Sequence, residues 1–527
     1  MLWIILLAAF LGVYYLYTLK INGYWKKKGV PYKFVLPPLG DNLQIMVQRI
    51  PFCDFLIIIY NRFPEERYTG FYQLSSPVLL LKDPKLIKEM CVKDFEHFLD
   101  HRTFLKEDVD PLWSKNLFAL TGHKWRDMRA TLSPSFTGSK MRQMFVLVQQ
   151  CAENFVTYFD QNSSDILEVE LKDTFTRYTN DIIASTAFGI QCDSLENPQN
   201  EFYVRGTQAT DLSGFWKNMK FMLVLLMPSI GKVLDTRIFS EELSTFFRKI
   251  IRETVEYRKK NNIERPDMIN LLMHTKKVSL MEEESKKVEE SNFAAVEEHL
   301  EPQEIKEDLS LDDMTSQALI FFFAGFDTVS TAMCFMAYEL AVNPDIQQRL
   351  IKELDDFRAV NDSLTYEGLA KLTYLDMVLS ETLRKWPPTV ATDRQCVKSY
   401  TIKPERPNEK PINLTNKDVL IIPTYALHHD SRYWENPNKF DPERFSAENK
   451  SKIVPYTYIP FGVGPRNCIG SRFALMEVKA VFYAILGKFE IVPTGKSCIP
   501  FKPKISSFNL VPEDGFWFGL KKRKIVD

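Results

Sequence analysis

The chain has 527 residues, 45% hydrophobic and 26% charged, which excludes a fibrous or disordered protein and allows two domains or one unusually large one. Lys+Arg 67 against Asp+Glu 68 leaves a net charge of −1, which argues against a dedicated nucleic-acid binder. Eight cysteines without a CxxC and seven histidines without an HExxH give no support to a disulfide scaffold, a zinc ribbon or a zinc hydrolase.

In chain order, residues 1–18 read MLWIILLAAFLGVYYLYT without a charge, nearly long enough as a helix to cross the ~30 Å hydrocarbon core of a bilayer. No basic n-region or small-residue cleavage site marks a removable signal. Lys20, Lys26, Lys27 and Lys28 follow, beside Tyr24 and Trp25, a pattern that holds this side in the cytosol. The expectation is a transmembrane anchor at 1–19, a basic and proline-rich linker at 20–42 containing Pro37-Pro38, and a cytosolic body at 43–527.

Within the body, apolar residues three and four apart predict helices over 137–159, 243–260, 311–342 and 366–385. Short runs at 78–81 and 419–422 read as strands. The stretch 281–310 carries eleven acidic and three basic side chains and reads as a solvated connector. The expected class is mainly α with small β-sheets.

The strongest chemical motif is Phe461-Gly462-Val463-Gly464-Pro465-Arg466-Asn467-Cys468-Ile469-Gly470, running into a helical pattern at SRFALMEVKAVFYAIL. Cys468 then stands at a helix N-terminus, where free amides and the dipole favour a thiolate. Gly462 and Gly464 permit left-handed or closely approached backbone, and Gly470 adds clearance for a flat, bulky ligand. A buried free cysteine is the plain alternative, and a nucleophile lacks a local histidine. The FxxGxRxCxG string resembles the haem-thiolate loop of the cytochrome P-450 monooxygenases.

Three further motifs appear in order with that resemblance. Glu381-Thr382-Leu383-Arg384 is similar to the family's ExxR and Asp441-Pro442-Glu443-Arg444-Phe445 to its PERF segment. The resemblance implies a structural triad of Glu381, Arg384 and Arg444. Ala324-Gly325-Phe326-Asp327-Thr328 lies midway along 311–342, where a glycine costs about 1 kcal/mol relative to alanine. One reason for it is a local opening for dioxygen, with Asp327 and Thr328 as a catalytic pair that holds water and delivers protons. Back-bonding within the helix is the alternative role for such residues. Trp125-Arg126-Asp127-Met128-Arg129 resembles the WxxxR helix, and implies that Trp125, Arg129, Arg394, Arg466 and, near His101, Arg102 bind the haem propionates.

The resemblance implies haem b (iron protoporphyrin IX) as cofactor, with Cys468 the axial ligand to iron and Phe461, Gly462, Gly470 and Ala324 beside it. It further implies O2 and a lipophilic small molecule as substrates. No GxGxxG fingerprint or flavin domain is visible, so electrons are expected from an external NADPH–cytochrome P-450 reductase, with cytochrome b5 as a second donor. Lys124, Arg126 and Arg472 are candidate docking residues. Segments 103–118 and 211–230 are expected as lids, the second bearing Phe215, Trp216, Phe221 and Met222, and as parts that dip into membrane lipid. Phe104, Ile320, Phe323, Val390 and 506–508, including Phe508, are pocket candidates. LSPSFTGSKMRQMF, FFFAGFDTVST, YWENPNKFDPERF and PFGVGPRNCIGSRFAL are similar to insect microsomal members used in detoxification. That similarity points to the endoplasmic reticulum membrane and to xenobiotics. A steroid or fatty-acid hydroxylase and a non-catalytic haem-binding sensor are the other readings.

Overall fold

A computed structural model of the chain describes all residues except 47–48, 104, 106–108, 211–236, 266, 274–292, 296–308, 408, 506–509 and 525–527. The principal helices are α1 (Leu2–Lys28), α2 (Phe52–Asn61), α3 (Gly122–Leu132), α4 (Gly138–Asp160), α5 (Leu171–Ile183), α6 (Glu201–Thr210), α7 (Glu241–Asn261), α8 (Leu311–Val342), α9 (Pro344–Val360), α10 (Thr373–Lys385) and α11 (Ser471–Lys488). The acidic stretch lies almost wholly outside the described residues, and so do the second lid, Phe104 and Phe508.

α8 is the central helix. Ser310 and Asp313 close a capping box at its start, which satisfies two otherwise free amides. Its second half is buried almost without interruption from Val329 to Ala341, so an apolar run of transmembrane length serves here as a core helix. α5 packs along it, and α4 packs along α11.

The sheets are small. β1 (Tyr68–Gln73), β2 (Ser76–Leu81), β4 (Thr392–Gln395) and β7 (Val419–Ile422) form one sheet in the order β1-β2-β7-β4. Its β2–β7 pair is parallel and the other two are antiparallel. β3 (Ile166–Glu170), β9 (Trp517–Lys522) and β8 (Phe489–Pro493) form an antiparallel second sheet, while β5 (Tyr400–Ile402) pairs with β6 (Ile412–Leu414).

Two elements differ from the sequence reading. The helix expected over 366–385 is interrupted at Leu372, because the Glu353 carboxylate on α9 accepts the Tyr374 and Leu375 amides at 2.7 and 2.9 Å and caps a fresh start. The anchor helix runs on to Lys28, so the expected linker begins as packed helix. Trp25 is buried with its Nε1 donating to Phe71 O at 3.2 Å, and Asn22 bonds both backbone groups of Val35. Lys28 reaches Asp418 at 2.8 Å. Most of residues 1–17 are exposed.

Candidate active site

The loop before α11 is shaped by two left-handed glycines. Gly462 has φ +80° and Gly464 φ +70°, a region that L side chains rarely adopt. At Gly464 a Cβ would lie 1.9 Å from Cys91 O, so glycine is required there twice over. Cys468 N donates to Phe461 O at 2.8 Å and Asn467 N to Gly464 O at 2.9 Å, folding the loop back on itself. Gly470 has an ordinary φ of −93° and would meet only Phe136, at 3.7 Å, so its expected clearance is not demanded by the backbone.

The loop delivers Cys468 to the floor of an internal cavity of about 960 Å³, lined also by Phe461, Gly462, Ile469 and Gly470. The sulfur is open to this cavity although protein encloses it on the other sides. Burial pushes the thiol up, and the Gly470 amide and the Arg129 charge offset only part of that. The helix terminus alone therefore does not make a thiolate here; a bound cation would have to.

Facing the loop, Ala324, Gly325, Asp327 and Thr328 of α8 line the same cavity. The helix is unbroken at this point. A Cβ on Gly325 would come within 3.0 Å of Ile183 Cδ1, so this glycine lets α5 approach α8 as well as leaving room above the floor. Thr328 Oγ1 donates to Ala324 O at 2.5 Å, closing on its own helix. Asp327 Oδ1 meets Lys172 Nζ at 2.8 Å, and the same ammonium bonds Asp327 O, Ser330 Oγ and Thr331 Oγ1. Asp327 also lines a second cavity of about 410 Å³ behind the helix, with Glu170, Lys172 and Asp173. It thus stands in the wall between the two.

The cationic rim comes from separate elements. Trp125 and Arg129 of α3, Arg466 and His101 line the cavity. Arg129 grips the loop through Asn467 O at 2.9 Å and Asn467 Oδ1 at 2.7 Å. Arg466 stacks over Trp125 at 4.1 Å and donates to Leu99 O and Leu120 O. Burial, with Arg394 close by, lowers the Arg466 guanidinium to about 9. Two expectations are corrected. Arg394 is buried behind the rim, its fork taken by Val463 O at 3.0 Å and Asp393 O at 2.6 Å, so it braces the loop. Arg102 turns away to Gln73 Oε1 at 2.8 Å, and the neighbouring His101 faces the cavity instead.

Glu381 and Arg384 form a two-pronged pair at 2.7 and 2.9 Å, both fully buried. Arg444 joins Glu381 at 3.4 Å, and the Asp441 amide adds a bond at 2.9 Å. His428 links this triad to the cysteine loop, with Nδ1 on Arg384 O and Nε2 accepting the Ile459 amide, each at 2.9 Å. No local motif announces His428 or Lys172. Ile320, Phe323 and Val390 line the cavity with Trp113, Leu117 and Phe118. Of the docking candidates, Lys124 is exposed, whereas Arg126 is engaged by Glu96.

A planar porphyrin carrying two carboxylates fits this donor set: one thiol on the floor, an apolar slot, and a cationic rim on one side. Among the described residues no cluster of three or more His, Cys, Asp or Glu side chains is disposed to hold a bare metal ion, so the remaining ligands would come from the macrocycle. Fold and site together define a haem-thiolate protein. A family model described as Cytochrome P-450 matches residues 59–517, and the chain belongs to that family of monooxygenases. It is 44% identical to cytochrome P-450 9e2 of Blattella germanica, over 99% of this chain and 98% of that one. Identity is 40% to probable cytochrome P-450 9f2 of Drosophila melanogaster, over 98% of each. It is 37% to cytochrome P-450 9c1 of the same fly, again over 98% of each.

Proposed function

We propose that the protein is held in the endoplasmic reticulum membrane by α1 and inserts one oxygen atom of O2 into lipophilic foreign compounds. Electrons come from NADPH through an external reductase, with cytochrome b5 as an additional donor. The observation that carries this reading is a single cysteine facing an acid and an alcohol, Asp327 and Thr328, across one largely apolar cavity.

Haem b held by Cys468, with Trp125, Arg129, His101 and Arg466 around its carboxylates, supplies oxygen activation, which the thiolate ligand promotes by pushing electron density. The chain's own residues do the rest. Ile320, Phe323 and Val390 exclude water and orient an apolar substrate. The Asp327 carboxylate takes a proton from the second cavity and Thr328 Oγ1 passes it on, once each leaves its resting partner. Lys172 holds Asp327 in the wall until then. The similarity to insect relatives supports foreign compounds as substrates.

The test is reductase-coupled turnover in lipid vesicles with NADPH, using a panel of foreign aromatics beside sterols and fatty acids. Oxygenated foreign products support the reading. Turnover confined to sterols or fatty acids reassigns the substrate class, and no turnover with a reducible haem favours a binding role.

A further inference from the structure

The rim of the cysteine cavity contains one group whose charge changes near neutral pH. His101 lies on the segment before α3, is 7% exposed and stacks on Phe118 with centroids 4.4 Å apart. Its Nδ1 lies 2.9 Å from Asp393 Oδ1. Asp393 also accepts the Arg102 amide at 2.7 Å. Burial raises Asp393, yet its bond to His101 holds it below the usual carboxylate range. An ionised Asp393 can only accept, so the proton between them sits on Nδ1. Nε2 makes no hydrogen bond to any described residue, and His101 lines the cavity.

This geometry has a consequence for any carboxylate brought to the rim. A neutral imidazole with its proton on Nδ1 offers a carboxylate a bare lone pair, which repels it. The imidazolium offers an N–H between two anions, a stabilised arrangement. The charged groups around the ring are Asp393 and Arg394 on β4, Arg466 on the cysteine loop, Arg129 on α3, and Asp100 and Arg102 on its own segment. We propose that His101 is a cofactor-binding residue that takes up one solvent proton when the pocket loads and then donates from Nε2 to a cofactor carboxylate, with Asp393 as its positioning partner. The proposal rests on reading the cavity as the haem pocket.

In the empty pocket, burial lowers His101 despite Asp393, and Arg394 and Arg466 add to that. A carboxylate gained on loading raises it. The added affinity is therefore complete below the empty-pocket value and is lost as pH rises through the loaded value. An arginine at this position would stay charged throughout.

The experiment measures transfer of haem from the detergent-solubilised holoprotein to excess apomyoglobin between pH 6 and 9, for wild type, His101→Arg and His101→Gln. Wild type is expected to lose haem faster as pH rises, by up to about tenfold per pH unit within the window, as one linked proton requires. His101→Arg is expected to hold haem with no such slope, and His101→Gln to lose it quickly even at pH 6. The same slope in wild type and His101→Arg, or a flat wild type, overturns the inference while leaving the haem-thiolate reading intact. A purified wild type that binds no haem overturns both.

Discussion

At the residue scale, burial decides what each charged group does. Glu381 and Arg384 are wholly enclosed and neutralise one another, whereas Arg444 keeps 12% of its side chain exposed at the longer distance of 3.4 Å. Removing one member of a buried pair strands the other at a cost of about 3–5 kcal/mol. Glu381→Ala should therefore fail to accumulate as folded protein, while Arg444→Ala should fold with a smaller loss, as read by urea unfolding. Equal losses would show that the pair is not the centre of the triad. Lys172 has a different role, because it holds Asp327 from a neighbouring helix. Asp327→Asn should leave the substrate-induced spectral shift in place but lower product formed per NADPH consumed. Lys172→Met should do the same to a lesser degree. Unchanged coupling in both variants would remove the proton route from the account.

At the element scale, the cysteine loop depends on backbone that only glycine supplies. Gly464 combines a left-handed φ with contact against Cys91 O, and strain of this kind costs of order 1–3 kcal/mol before any clash. Gly464→Val should lose haem while keeping its helical circular dichroism, since the loop lies outside the packed helices; full haem content in that variant would contradict this view of the loop. The same contrast explains what could be read in advance. The cysteine loop, Trp125–Arg129, Glu381–Arg384 and Asp327–Thr328 are short strings whose chemistry is local, and the 311–342 helix has the bounds its periodicity predicts. Lys172 is 155 residues from the aspartate it holds, and His428 acts by joining two distant backbone groups. His101 rather than Arg102 faces the cavity because one residue's step along an extended segment turns a side chain to the other side. The break at Leu372 depends on a cap from another helix, which no periodicity within 366–385 reports.

At the scale of the whole molecule, α1 both anchors and supports the body. Its exposed part ends near Tyr17, and its last turns are packed through Asn22, Trp25 and Lys28. Deleting residues 2–17 should release the protein from membranes with little change in thermal unfolding. Deleting through Lys28 should also remove buried Trp25, whose loss alone costs about 3–5 kcal/mol by comparison with large-to-small core substitutions. Equal unfolding temperatures for the two truncations would show that the junction carries no stability.

The architecture converges on one cavity, with the cysteine on its floor, α8 above it and the cationic rim at its edge. The central claim is that Cys468 ligates the haem iron there as a thiolate. The most direct measurement is the carbon monoxide difference spectrum of the dithionite-reduced protein beside Cys468→Ser, with haem content measured in both. A thiolate-type Soret band in wild type, lost in the variant, is the predicted result. A histidine-type band in haem-replete wild type, or the same band in both proteins, would contradict it.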